Sequence, residues 1–120
     1  MAGCQCLLAR SARLANVDEI AATPGVGSLF LGAANDLAHS LGVPADHPDV
    51  EMARQKILTA CRTHKIACNI TANTADEIVT RVSEGWHMIR TTVPAINAAR
   101  ARLNDPKTAP PPADPFVLPR

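Results

Sequence analysis

The chain has 120 residues, 47 % of them apolar and 2 % aromatic, with a formal charge of +1 and both signs scattered. That suffices for one domain with an aliphatic core. It excludes the basic stripes and aromatic platforms that hold nucleic acid, so nucleic acid is not an expected partner.

No apolar run approaches the roughly 20 residues of a membrane-spanning helix. Residues 1–10 carry no basic segment ahead of their apolar stretch, so no secretory leader is expected. No membrane partner and a cytoplasmic location follow as expectations. Trp86, Phe30 and Phe116 are the aromatic residues, so Ala, Val, Ile and Leu must fill the core, as in helix-covered parallel sheets. Cys4, Cys6, Cys61 and Cys68 lack the paired C-x-x-C spacing of a zinc site. Cys4-Gln5-Cys6 reads as small apolar residues in or near a strand of a protein kept reduced, with a redox or metal pair as the minor alternative.

Residues 4–9 form a short apolar run, the first strand candidate. Asn16 followed by Glu19 predicts a capping box opening a helix, and Thr23-Pro24-Gly25 ends it. Residues 28–31 are a second strand candidate ending in Gly32. After a loop, residues 46–65 form the strongest helix. Pro48 suits its first turn, Asp49 and Glu51 its N-terminal dipole, and Val50, Ala53, Ile57 and Cys61 give one apolar face.

Residues 66–70 are a third strand candidate. Thr74 with Glu77 predicts a second capping box, opening a helix whose buried stripe is Ala75, Ile78, Val79 and Val82 and whose stop is Gly85. Residues 86–91 are a fourth strand candidate, and residues 94–103 a last, Ala-rich helix. From residue 104 six prolines crowd a segment with little to bury, which predicts an extended or disordered tail. The alternation of strand and helix, repeated about four times, implies an α/β protein with a parallel sheet. No G-x-G-x-x-G or Walker loop is present, so nucleotide-phosphate cradles have no support.

In such folds chemistry sits at the C-terminal ends of strands. The richest such place is residues 32–42, where small residues let backbone N–H groups approach a ligand and Asp36 offers oxygen to a hard cation. The same aspartate is also what a simple helix cap looks like.

The run from Asn16 to Val26, then Leu29-Phe30-Leu31-Gly32, Asp36-Leu37, Ser40-Leu41-Gly42 and His47-Pro48-Asp49-Val50, resembles the HpcH/HpaI aldolase / citrate lyase family over most of residues 14–103. The resemblance implies a partial (β/α)8 TIM barrel of about four βα units, the fifth to eighth of the family fold. Residues 1–103 are then the C-terminal half of the barrel and 104–120 the Pro-rich flexible tail. It implies reversible aldol cleavage of a 4-hydroxy-2-oxo acid to pyruvate and an aldehyde, with a divalent Mg, Mn or Co ion as cofactor. Asp36 matches the family's metal-binding Asp. The loop N–H groups that hold the substrate carboxylate correspond to Gly32, Ala34 and Asn35.

Three departures stand beside the match. Ala9 occupies the neighbourhood of the family's metal-binding Glu. Ala33 replaces a proline, and the spacing from Gly32 to Asp36 is one residue longer than usual. The family's catalytic His and Arg come from the earlier half of the barrel, and His39, His47, His64 and His87 do not match them, so no catalytic residue is expected in this chain. About four strands cannot close a ring, which predicts a homo-oligomer or pairing with a complementary half-barrel. The start at Met1-Ala2-Gly3-Cys4 fits a mis-assigned first exon; a truncated gene, a split subunit or a non-catalytic decayed paralogue are the alternatives.

Overall fold

The computed structural model describes residues 4–7, 11–32 and 34–110. In chain order these form β1 (Cys4–Leu7), α1 (Ser11–Ala15), α2 (Val17–Ala22), β2 (Val26–Leu31), α3 (Ala34–Leu41), α4 (Pro48–His64), β3 (Ala67–Thr71), α5 (Ala75–Glu84), β4 (Met88–Arg90) and α6 (Val93–Leu103). The strands make one sheet in the order β1-β2-β3-β4, every pair parallel. Each strand returns through at least one helix, as parallel neighbours require. No described helix is long and apolar enough to cross a membrane.

Register and burial together assign the two faces of the sheet. Leu29 lies beside Cys68, and Leu31 beside Ile70 and then Ile89. Leu29, Leu31, Cys68 and Ile70 are almost wholly buried, packed with Val17 and Ala21 of α2 and with Ala53, Ile57 and Cys61 of α4. The alternate row, Leu7, Phe30, Asn69 and Met88, occupies the other face. At its two ends Leu7 is 44 % and Met88 51 % exposed. A second, smaller cluster joins Ala72 and Ile78 to Ala95 and Ala99, seating α6 on α5.

The local signals act as expected in several places. In α4, Val50, Ala53, Ile57 and Cys61 are all buried. Thr74 Oγ1 accepts from Glu77 N at 3.2 Å, while Glu77 Oε2 accepts from Asn73 N at 3.2 Å. Gly25 (φ 91°) and Gly85 (φ 94°) take the left-handed turns after α2 and α5 that side chains resist.

Other expectations are corrected. Asn16 makes no side-chain cap, because α1 runs up to it and its backbone (φ −102°, ψ 18°) is not the extended conformation a cap needs. The long helix starts at Pro48, with His47 Nδ1 accepting from Asp49 N at 3.2 Å. In α5, Val82 is 38 % exposed and Arg81 is buried instead. The fourth strand shrinks to Met88–Arg90, because Trp86 turns into the core and its Nε1 donates to Glu84 Oε2 at 2.8 Å. Cys61 and Cys68, which carried no pairing signal, are joined by a disulfide. Residues 105–109 turn back on α6, with Thr108 Oγ1 donating to Arg102 O at 2.8 Å and Ala109 N to Asp105 O at 2.8 Å. The rest of the expected tail, 111–120, lies outside the described residues.

Candidate functional site

Because all four strands are parallel, their C-terminal ends share one rim, the edge at which α/β folds bind ligands. Leu31 pairs with Ile70 and Ile70 with Ile89, while Thr71 pairs with Arg90. One step further along β2 brings Gly32 level with Thr71 and Arg90. A Cβ on Gly32 would come within 3.3 Å of Leu7 Cδ1, so glycine suits this crowded exit.

The segment expected to be a loop is mostly helix. Leu37 and Ala38, buried to 1 % and 3 % exposure, anchor α3 on the core. That fixes Ala34, Asn35 and Asp36 as its first three residues. Backbone N–H groups in a first helical turn have no acceptor within the helix and face outward at its positive end. Asn35 and Asp36 are exposed. The four residues singled out from sequence, Gly32, Ala34, Asn35 and Asp36, are thus brought to one strand exit, with Ala33 between them outside the described residues.

Among the described residues no three His, Cys, Asp or Glu side chains converge as a metal cage. Asp36 fits one ligand position of a hard cation. Ala9, outside the described residues, has no donor side chain. The remaining positions would fall to water and to the oxygens of a bound acid, an arrangement magnesium accepts. His47 caps α4, His64 Nε2 lies 3.6 Å from Asp18 Oδ1, and His87 Nδ1 accepts from Cys68 N at 3.1 Å.

Sequence reasoning missed a neighbouring feature. Thr71, Asn73, Arg90, Thr91 and Thr92 line a cavity of about 360 Å³ between the ends of β3 and β4 and the start of α6. The signal in the sequence is an arginine closing a strand just ahead of a helix.

Residues 9–98 match the family described as HpcH/HpaI aldolase/citrate lyase. Over 59 residues the chain is 46 % identical to a 5-keto-4-deoxy-D-glucarate aldolase of Salmonella paratyphi C (strain RKS4594), covering 48 % of this chain and 23 % of that protein. The crystal structure of an HpcH/HpaI aldolase/citrate lyase family protein from Burkholderia cenocepacia J2315 superposes with a TM-score of 0.70 at 30 % identity, over 84 % of this chain and 41 % of that one. A citrate lyase from Burkholderia xenovorans LB400 shares the fold at 22 % identity, with a TM-score of 0.67 over 82 % of this chain and 37 % of that one. The chain therefore spans less than half the length of these relatives, and its four βα units form a partial (β/α)8 barrel. With three quarters of its length inside the family match, this chain belongs to the HpcH/HpaI aldolase/citrate lyase family.

Proposed function

We propose that this chain supplies the 2-oxo-acid-binding part of an aldolase that reversibly cleaves a 4-hydroxy-2-oxo acid to pyruvate and an aldehyde. The observation that carries the reading is Asp36, exposed in the first turn of α3 at the exit of β2. In this reading the N–H groups of Gly32, Ala34 and Asn35 hold the carboxylate of the acid, beside a helix end that favours anions. Gly32 keeps the strand exit clear for it. Among the described residues at this exit, the Asp36 carboxylate is the side chain suited to a Mg, Mn or Co ion. Such an ion, when bound, supplies positive charge that offsets the negative charge developing on the 2-oxo oxygen.

The chain's matched residues offer no counterpart of the family's catalytic His and Arg, so proton transfer belongs to a complementary half-barrel. The test is pyruvate release from 5-keto-4-deoxy-D-glucarate, by the chain alone and by the chain combined with the N-terminal half of a full-length relative, with Mg²⁺ or with chelator. The combined protein should release pyruvate, and Asp36→Asn should lower the rate at least about 100-fold, as losing a charge-stabilising group does. Metal-independent release, or release indifferent to D36N, would overturn the reading.

A second reading, a non-catalytic half-barrel that works by assembling with itself or a relative, is favoured by the exposure of Leu7 and Met88 at the two ends of one sheet row. Sedimentation tests it, since a strictly monomeric 12.7 kDa chain excludes self-assembly.

A further inference from the structure

The cavity between β3, β4 and α6 has the composition of an anion site. Its lining holds one cation, Arg90, three hydroxyls, Thr71, Thr91 and Thr92, the Asn73 amide, and no carboxylate. The Arg90 guanidinium has no hydrogen bond or ion pair among the described residues, although eight ion-pair contacts engage other side chains. The Thr91 hydroxyl is buried with no partner, a condition that costs free energy until a ligand or water satisfies it. Thr92, at the cap position before α6, makes no side-chain cap, and the first turn of α6 has no acidic residue. The positive end of the helix therefore remains unneutralised beside the cavity.

From these observations we propose that Arg90, with Thr71, Asn73 and Thr92, binds a carboxylate group of a small molecule in this cavity. A guanidinium presents two parallel N–H groups that match the two oxygens of one carboxylate. A single arginine with neutral donors balances one negative charge, which favours a carboxylate over doubly charged phosphate. The volume suits a short-chain acid.

The position gives the site a role that rests on the aldolase reading above. Arg90 ends β4, two strands from the Asp36 exit on β2, about 10 Å across the sheet at the usual strand spacing. A substrate whose 2-oxo acid end sits at Asp36 would present its far end to Arg90. Arg90 would then hold the second carboxylate of a diacid such as the 5-keto-4-deoxy-D-glucarate proposed above as substrate.

The experiment is an NMR titration of the ¹⁵N-labelled full chain with malonate, beside inorganic phosphate and neutral 1,3-propanediol. Malonate should shift the Thr71, Asn73, Arg90 and Thr92 amides saturably, and propanediol should not. Arg90→Gln should weaken malonate at least about tenfold, with Arg90→Lys intermediate because it keeps the charge and loses the fork. Thr71→Val, which removes a hydroxyl at nearly constant volume, should weaken it less while leaving the remaining spectrum in place. Equal malonate binding by wild type and R90Q overturns the site, and phosphate binding tighter than malonate overturns the carboxylate assignment. Malonate binding at Arg90 without aldol cleavage by the complemented protein leaves the site standing and removes the aldolase reading. Cleavage with no malonate shift does the reverse.

Discussion

Arg81 of α5 grips Glu51 of α4 with both prongs of its guanidinium: Nη1 donates to Oε1 at 2.8 Å and Nη2 to Oε2 at 2.9 Å. The arginine side chain is only 5 % exposed, and Glu84 takes further bonds from Nη1 at 3.1 and 3.0 Å. Arg54 and Gln55 also donate to Glu51, each at 3.0 Å. Arg81, in place of Val82, thus joins Ile78 and Val79 on the buried side of α5, and the network welds α5 to α4 behind the sheet.

The network predicts how stability varies with acid. The hydrogen bond from Arg81, helped by those from Gln55 and Arg54, holds the Glu51 carboxyl down to about 2 against the opposing effect of burial. Burial alone would lower the Arg81 pKa, but its bonds to Glu51 and Glu84 outweigh this and raise it. A depressed carboxyl contributes stability above its unfolded pKa, near 4.3, and loses it as pH falls toward the folded value. Urea unfolding should therefore give a flat midpoint from neutral pH to about 5 and a decline between about 4.5 and 2. Glu51→Gln should cost about 1–2 kcal/mol at pH 7, below the usual loss for a buried pair because Glu84 still holds Arg81 and Glu51 is partly exposed. The acid decline should flatten in E51Q.

A second prediction concerns the disulfide between Cys61, near the end of α4, and Cys68 in β3, with Cα atoms 5.8 Å apart and both residues at 0 % exposure. With a sequence separation of 7, the closed loop constrains the unfolded chain by about 2.5 kcal/mol on chain-entropy grounds. The non-reduced protein should weigh two hydrogens less than the fully reduced chain by intact mass. Unfolding in excess reductant should lower the urea midpoint by a corresponding amount. An unchanged midpoint would show that the bond adds nothing to stability.

Two helix starts that look alike in sequence should behave differently. Asn16 with Glu19 and Thr74 with Glu77 have the same spacing, but only Thr74 caps its helix. Thr74→Ala should cost about 1 kcal/mol in chemical denaturation, and Asn16→Ala only a few tenths. Equal losses would mean that the bond from Glu77 N to Thr74 Oγ1 adds nothing net.

This pair also marks the limit of what sequence made legible. Capping and periodicity are local, so α4 and α5 were readable from Val50, Ala53, Ile57, Thr74 and Gly85. Asn16 failed because a neighbouring helix, α1, fixed its backbone, and Val82 failed because a partner 30 residues away drew Arg81 inward. At the candidate site, Asp36 and Gly32 stand out in sequence through their expected strand exit and the family resemblance. Arg90 was not, because its significance depends on Thr71, a partner that only the parallel register supplies.

The register also bears on association. Leu7, Phe30, Asn69 and Met88 form one row across the sheet, on the face opposite Leu29 and Ile70. Met88, 51 % exposed on β4, has little to lose in the folded monomer. Any contact that covers it gains roughly 25 cal/mol per Å² of apolar surface removed from water. Met88→Asp should leave the unfolding free energy from urea titration within about 0.5 kcal/mol of wild type, as surface changes do, while placing a charge that resists burial in any such contact. In sedimentation velocity across a concentration series, wild type should shift to larger species as concentration rises and M88D should remain at the monomer. A wild-type chain that sediments as a monomer throughout would remove this row as a self-association surface, and a shift that persists in M88D would move the contact to another face.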